Sequence, residues 1–68
     1  LGLMAHDPEP EVRRIVASRL HGDDVVELLH DPDWTVRLAA VENAPLEALR
    51  GLDEQDPEVR RAIGERLG

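Results

Sequence analysis

The sequence predicts an all-α protein, a short α-solenoid of stacked units of about 24 residues, each with one α-helix and one short helical segment. Three observations predict this fold. One motif recurs at nearly constant spacing, and the apolar residues in each copy follow the period of an α-helix. Each copy is also too short to bury its apolar face by itself, so neighbouring units must cover it.

The repeated motif is an acidic turn that leads into a Val-Arg pair. Val-Arg pairs stand at 12–13, 36–37 and 59–60, with spacings of 24 and 23 residues. The turn reads Asp-Pro-x-x-x-Val-Arg in the first two copies, whereas the third has Glu54-Gln55 in place of Asp-Pro. We therefore expect one ordered structural unit per copy of the motif.

This spacing sets the boundaries of the units. They cover approximately residues 7–30 and 31–53, with a partial unit over residues 54–68. Residues 1–6 align with the end of a preceding unit. We interpret residues 1–68 as a single repeat segment and expect it to be a piece of a longer array.

An α-helix is predicted to open each unit. In the first copy, apolar residues at 12, 15, 16 and 20 lie on one helical face, and the same stripe recurs in the other two copies. Asp33 and Asp56 are suited to cap free backbone N–H groups, and Pro57 suits the first helical position. A start at Asp7 or Asp31 is the alternative. The predicted ends are His21-Gly22, Pro45 and Gly68.

A second, shorter apolar piece follows each complete helix. It comprises residues 25–29 in one unit and residues 46–52 in the next. About ten residues, turns included, suit one or two tight helical turns of 3₁₀ or α type. The β-branched pair Val25-Val26 leaves a strand as the alternative, but the Leu-Glu-Ala-Leu run at 46–49 favours a helix.

Composition argues against several classes of function. Fifteen acidic residues against eight basic ones, all arginine, give a net charge of −7, which opposes binding to nucleic acid. There is no cysteine, so no thiolate can hold a metal or an iron–sulfur cluster. The apolar runs are too short to span a membrane, and the first residues do not resemble a signal peptide. We expect a cytoplasmic protein.

Four residues are candidates for an interaction surface. Arg13, Arg37 and Arg60 form a ladder with one member per unit, and Trp34 is the single aromatic residue. The arginines could bind a partner's carboxylates, or pair between units with the acids at matching register. Trp34 could anchor a partner, or cover the apolar edge of the neighbouring unit.

The sequence predicts no catalytic, cofactor or metal site. His6 and His30 occupy equivalent positions before an Asp-Pro pair, which raises the idea of a metal-binding or pH-sensing pair. The simpler interpretation is that each histidine contacts the last carbonyl groups of its segment. The acidic residues fall in caps and turns, where helix N-termini favour them.

The motifs at 7–13 and 31–37, each followed by a leucine-rich second half, resemble the leucine-rich repeat variant family over about residues 3–67. The resemblance implies alternating α and 3₁₀ helices wound into a right-handed superhelix, and a bacterial source. Some members carry a cysteine-rich segment with a [4Fe–4S] cluster, which this chain cannot bind. HEAT-like repeats share the Asp-Pro-Glu-Val-Arg-Arg run at 56–61 but have longer units.

These observations favour a non-enzymatic module, a structural and protein-interaction scaffold whose partner is an unknown protein. The alternative is a nucleic-acid-binding HEAT-like array, which the net charge disfavours. Both ends of the array are apolar, with Leu1 to Ala5 at one end and Ile63 and Leu67 at the other. We therefore expect either self-association through an open end, as a two-fold dimer, or marginal stability.

Overall fold

The computed structural model describes residues 7–68, so the expectations for residues 1–6 lie outside the described part of the chain. Over this range the protein is helical and contains no strand, which rules out the strand alternative for the short segments. The elements in chain order are α1 (Pro10–Arg19), the 3₁₀ helix η1 (Gly22–His30), α2 (Trp34–Asn43), the single-turn helix α3 (Leu46–Leu49) and α4 (Pro57–Leu67). The predicted α-solenoid of alternating long and short helical segments is confirmed.

The long helices start at the later of the two predicted positions. Asp33 caps α2 by accepting a hydrogen bond from the backbone N–H of Thr35 at 2.8 Å. Asp56 caps α4 in the same way, with the N–H of Glu58 at 2.9 Å and that of Val59 at 3.2 Å. Helix α1 starts with Pro10 and has no side-chain cap. The acids at the earlier positions are therefore free for another role.

Glycine and proline shape the turns that follow the helices. Gly22 follows α1 with φ of 61°, and Gly51 follows α3 with φ of 75°, a left-handed conformation that other residues adopt only with strain. Pro45 stands after α2 and cannot donate the next helical hydrogen bond. The chain thus turns sharply after each helix, and the next helix is laid beside the previous one.

The core lies between the units. Helix α2 packs against α1 on one side and α4 on the other, and η1 lies beneath it. Val36, Ala40 and Val41 of α2 are fully buried, together with Val25 of η1 and Leu49 of α3. Because α2 contacts helices of both neighbouring units, the core is formed where the units stack.

The predicted apolar stripe differs from the buried face at two positions, Ile15 and Ala39. Ile15 is 46% exposed, whereas Ala17, two positions further on, is fully buried. The same holds in α2, where Val41 is buried and Ala39 is only partly covered. The buried face is rotated from the predicted stripe because each long helix lies beside the next long helix as well as above a short segment.

Candidate interaction surface

Two of the ladder arginines join consecutive units. Arg13 donates from Nε to Asp31 Oδ2 at 2.6 Å and from Nη2 to Oδ1 at 3.1 Å. Its Nη1 donates at 2.6 Å to the carbonyl oxygen of Asp7, in its own unit. The guanidinium therefore spans the boundary between the first and second units, and its side chain is only 12% exposed.

Arg37 repeats this arrangement one unit later. Its Nε lies 3.0 and 3.2 Å from the two carboxylate oxygens of Glu54, and its Nη1 donates to the carbonyl oxygen of Asp31 at 2.7 Å. The third motif has Glu54 where the others have aspartate, and its longer side chain still meets the guanidinium. Substitution of Glu-Gln for Asp-Pro thus preserves the ion pair.

The acid that opens each motif holds the turn that precedes a long helix. Asp7 Oδ1 accepts from the N–H of Glu9 at 2.8 Å, and Asp31 Oδ1 accepts from the N–H of Asp33 at 2.9 Å. Glu54 Oε2 accepts from the N–H of Asp56, also at 2.9 Å. In Asp31 and Glu54, one carboxylate therefore orders a turn within its unit and binds the arginine of the preceding unit.

At the boundary between the first two units, the charged forms of Arg13 and Asp33 are favoured. The hydrogen bond with Asp31 is the main cause that raises the pKa of Arg13. The pKa of Asp33 is lowered, chiefly by its hydrogen bond with the Thr35 hydroxyl and then by the Thr35 backbone N–H. Both shifts result from local hydrogen bonding to a charged group.

Arg60 differs from the other two ladder arginines. It is exposed, and no side-chain hydrogen bond or ion pair joins it to residues 7–68. Arg13 and Arg37 therefore each bind an acid of the next unit, whereas the guanidinium of Arg60 lies on the surface.

A second set of contacts between units runs in the opposite direction along the chain. Asn43 Nδ2 donates to the carbonyl oxygen of Ala17 at 2.9 Å. One unit later, Arg66 Nη1 donates at 2.7 Å to the carbonyls of both Val41 and Ala44. Each side chain thus satisfies carbonyl groups near the C-terminus of the preceding long helix.

Sequence reasoning missed this second set. The signal was the alignment of residues 19, 43 and 66, which places a hydrogen-bond donor at the same register in every unit. Arginine and asparagine both donate hydrogen bonds to carbonyl oxygens, although they differ in size and charge. The position within the repeat, rather than the residue type, was therefore the feature that indicated these contacts.

Trp34 lies in a groove between the first two long helices. The groove has a volume of about 380 Å³ and is lined on the α1 side by Ile15 and Ser18 and on the α2 side by Trp34 and Leu38. Trp34 is 43% exposed, so its ring contributes both to the wall of the groove and to the surface. Arg14 and Glu42 also line the groove, which places one charge of each sign there.

The histidine pair raised by the sequence lies only partly within the described residues. His30 ends η1 and is exposed, whereas its predicted counterpart His6 lies outside the described residues. Within residues 7–68, no group of three or more histidine, aspartate or glutamate side chains is arranged to hold a metal ion. No helix of this range is long and apolar enough to cross a membrane.

The fold and its two sets of contacts between units define an α-solenoid repeat protein. A family model described as leucine rich repeat variant matches residues 10–33, and one described as HEAT repeat matches residues 24–43. A solved structure described as a leucine-rich repeat variant with a novel repetitive protein structural motif is 82% identical, with a TM-score of 0.93. The match covers 97% of this chain and 28% of that one. Both comparisons identify leucine-rich repeat variant units in this chain, which spans about 28% of the length of the similar structure. A comparison with curated proteins found no match.

Proposed function

We propose that this repeat segment is a non-enzymatic scaffold that binds a protein partner in the groove between α1 and α2. The observation that carries the proposal is the pair of large apolar side chains left open there. Ile15 is 46% exposed and Trp34 is 43% exposed, and both line the same groove. Tryptophan is enriched among the residues that dominate binding energy at protein interfaces.

The composition of the groove supports a protein partner over a nucleic acid. Its walls are mainly apolar, and the two charged side chains, Arg14 and Glu42, have opposite signs. A surface that binds nucleic acid would need several positively charged side chains that are free to contact phosphate groups. Arg13 and Arg37, which such a surface would use, are instead bound to acids of the next unit.

The proposed site is a surface that depends on stacking, not on any one helix. Ile15 comes from the first unit and Trp34 from the second, so the groove exists only when the two units are packed together. The ion pair between Arg13 and Asp31 crosses the same boundary and fixes the two helices relative to each other. Contacts between units therefore support the proposed binding surface directly.

Site-specific photocrosslinking tests this function. A photoreactive amino acid at Ser18, exposed and within the groove, is compared with the same label at Glu58, exposed on α4 and outside it. In extract of the source cells we expect a discrete crosslinked protein from Ser18 only, and its loss when Trp34→Ala is added. Equal crosslinking from both positions, or a Ser18 product that Trp34→Ala leaves unchanged, contradicts the proposal.

A further inference from the structure

The α2 wall of the groove between α1 and α2 changes from apolar to acidic along its length. Trp34 and Leu38 are its large apolar side chains, and Glu42, one helical turn beyond Leu38, is its only charged residue. Glu42 is exposed, and within residues 7–68 no arginine forms an ion pair with it. Such a wall is complementary to a segment that carries an apolar side chain followed by a positive charge.

Glu42 keeps this exposure in the interior of the solenoid, since α2 packs between α1 and α4. It also borders a smaller cavity of about 180 Å³ between α2 and α4, together with Glu65 and Arg66. Arg66 donates its hydrogen bonds to carbonyl groups near the end of α2, and Glu65 lies 3.7 Å from Arg61. Glu42 is therefore the carboxylate of this surface that is open to a partner's charge.

The second boundary, between α2 and α4, lacks the apolar anchors of the first. Ala39 stands there at the position of Ile15, and Pro57 stands at the position of Trp34. Of the two boundaries within residues 7–68, only the one between α1 and α2 thus combines large exposed apolar side chains with an unpaired acid. A bound segment would be held there in one register.

The other charges near the groove also select a base over an acid. Arg14, the one basic residue of the groove, is 48% exposed and lies 3.9 Å from Glu11 of its own helix. An acidic partner would therefore meet an arginine that already has an acid beside it, whereas a basic partner would meet the unpaired Glu42. The net charge of −7 attracts a basic segment from a distance as well.

We propose that the segment bound in this groove is basic, an inference that rests on the proposed function and adds the chemical class of the partner. A large aliphatic side chain of the segment lies against Ile15 and Trp34, and an arginine or lysine pairs with Glu42. Glu42 follows Trp34 by eight residues of α2, which is about 12 Å of helix. An extended chain covers that length in about three or four residues.

Peptide titration followed by Trp34 fluorescence tests this assignment. Trp34 is the single aromatic residue, so its emission reports on the groove alone. The probe is a short peptide with leucine at its centre, arginine three residues away on both sides to cover either chain direction, and serine elsewhere. Two companion peptides have glutamine or glutamate in place of arginine. We expect a saturable blue shift with the arginine peptide, with a Kd near about 1 mM. The glutamine peptide should bind about two- to fivefold more weakly, and the glutamate peptide more weakly still.

Variants locate the charge that makes the selection. Glu42→Arg reverses the charge on the groove wall, so we expect it to bind the glutamate peptide more tightly than the arginine peptide. The matched control is Glu47→Arg, which makes the same change of net charge at an exposed position of α3 outside the groove and should keep the wild-type order. Ile15→Ala should weaken all three peptides by about fivefold. Circular dichroism establishes that each variant keeps its helices.

The outcomes separate the class of partner from the function of the groove. Equal binding of the arginine and glutamine peptides, or a wild-type order retained by Glu42→Arg, overturns the basic segment while an effect of Ile15→Ala still supports the groove. An order reversed by Glu47→Arg as much as by Glu42→Arg also overturns it, because net charge alone would then select the peptide. So does an arginine peptide that shows no binding at about 10 mM. Occupation of the groove by a protein would then be decided by crosslinking from Ser18.

Discussion

Replacing Arg37 and Glu54, singly and together, measures how strongly one ion pair holds two units of the solenoid. The pair is largely shielded from water, with the arginine side chain 20% exposed and the glutamate 5% exposed. Hydrogen bonds to charged groups contribute about 1.5 to 3 kcal/mol each when they are shielded in this way. We expect a coupling energy of about 2 kcal/mol between Arg37→Met and Glu54→Ala, a large share of the roughly 3 to 10 kcal/mol typical of a domain this size.

The double-mutant cycle isolates this pair from the turn that Glu54 also holds. Loss of the hydrogen bond to the N–H of Asp56 occurs in both variants that lack Glu54, so it cancels from the coupling energy. The measurement is urea unfolding followed by circular dichroism, at a concentration low enough to keep every variant monomeric.

A matched pair on the surface gives the reference. Arg61 and Glu65 are 3.7 Å apart and 74% and 72% exposed, and both belong to α4. An exposed pair of this kind contributes about 0.3 to 0.5 kcal/mol. Equal coupling energies for the two pairs would refute the reasoning that the buried ladder, rather than charge pairing in general, joins the units.

Three further perturbations test other parts of the structure. Val36→Asp places an unpaired charge at a fully buried position between units, and we expect a loss of several kcal/mol or complete unfolding, measured by thermal melts. Asn43→Arg installs the residue found at the equivalent position in α4, and we expect a gain of about 0.5 to 1 kcal/mol in urea unfolding because a second carbonyl, that of Leu20, becomes reachable. The lowered pKa of Asp33 means that its cap stabilises the fold above about pH 4 and that this contribution disappears as pH falls through the folded-state pKa. Asp33→Asn should therefore lessen the acid dependence of stability, measured by urea unfolding at a series of pH values.

The features that the sequence predicted well are those that local chemistry decides. Asp33 and Asp56 cap helices because a short acidic side chain before a helix reaches free N–H groups whatever the tertiary structure. Gly22 lies where the chain turns from α1 into η1 because glycine tolerates a positive φ at that point without strain. Both signals are complete within a few residues of sequence.

The features that sequence analysis missed depend on how units lie against each other. Ile15 follows the helical period of the stripe, yet it faces the groove because α2 lies beside α1 and covers Ala17 instead. The role of Arg66 depends on its reach to carbonyls 22 and 25 residues earlier in the chain. Periodicity within one helix contains no information on the angle between two helices, so neither feature was predictable from spacing alone.

Insertion of one extra unit tests most directly whether stacking between units holds this fold together. Duplicating residues 31–53 in place keeps the repeat register. The duplicate begins with Asp31, which takes the place of Glu54 after the original unit, and Glu54 then follows the duplicate. The added unit brings one more buried boundary, with its own arginine–acid pair, so the free energy of unfolding and the melting temperature should both rise. A longer chain that is no more stable than the original, or less stable, would show that the boundaries between units do not supply the stability.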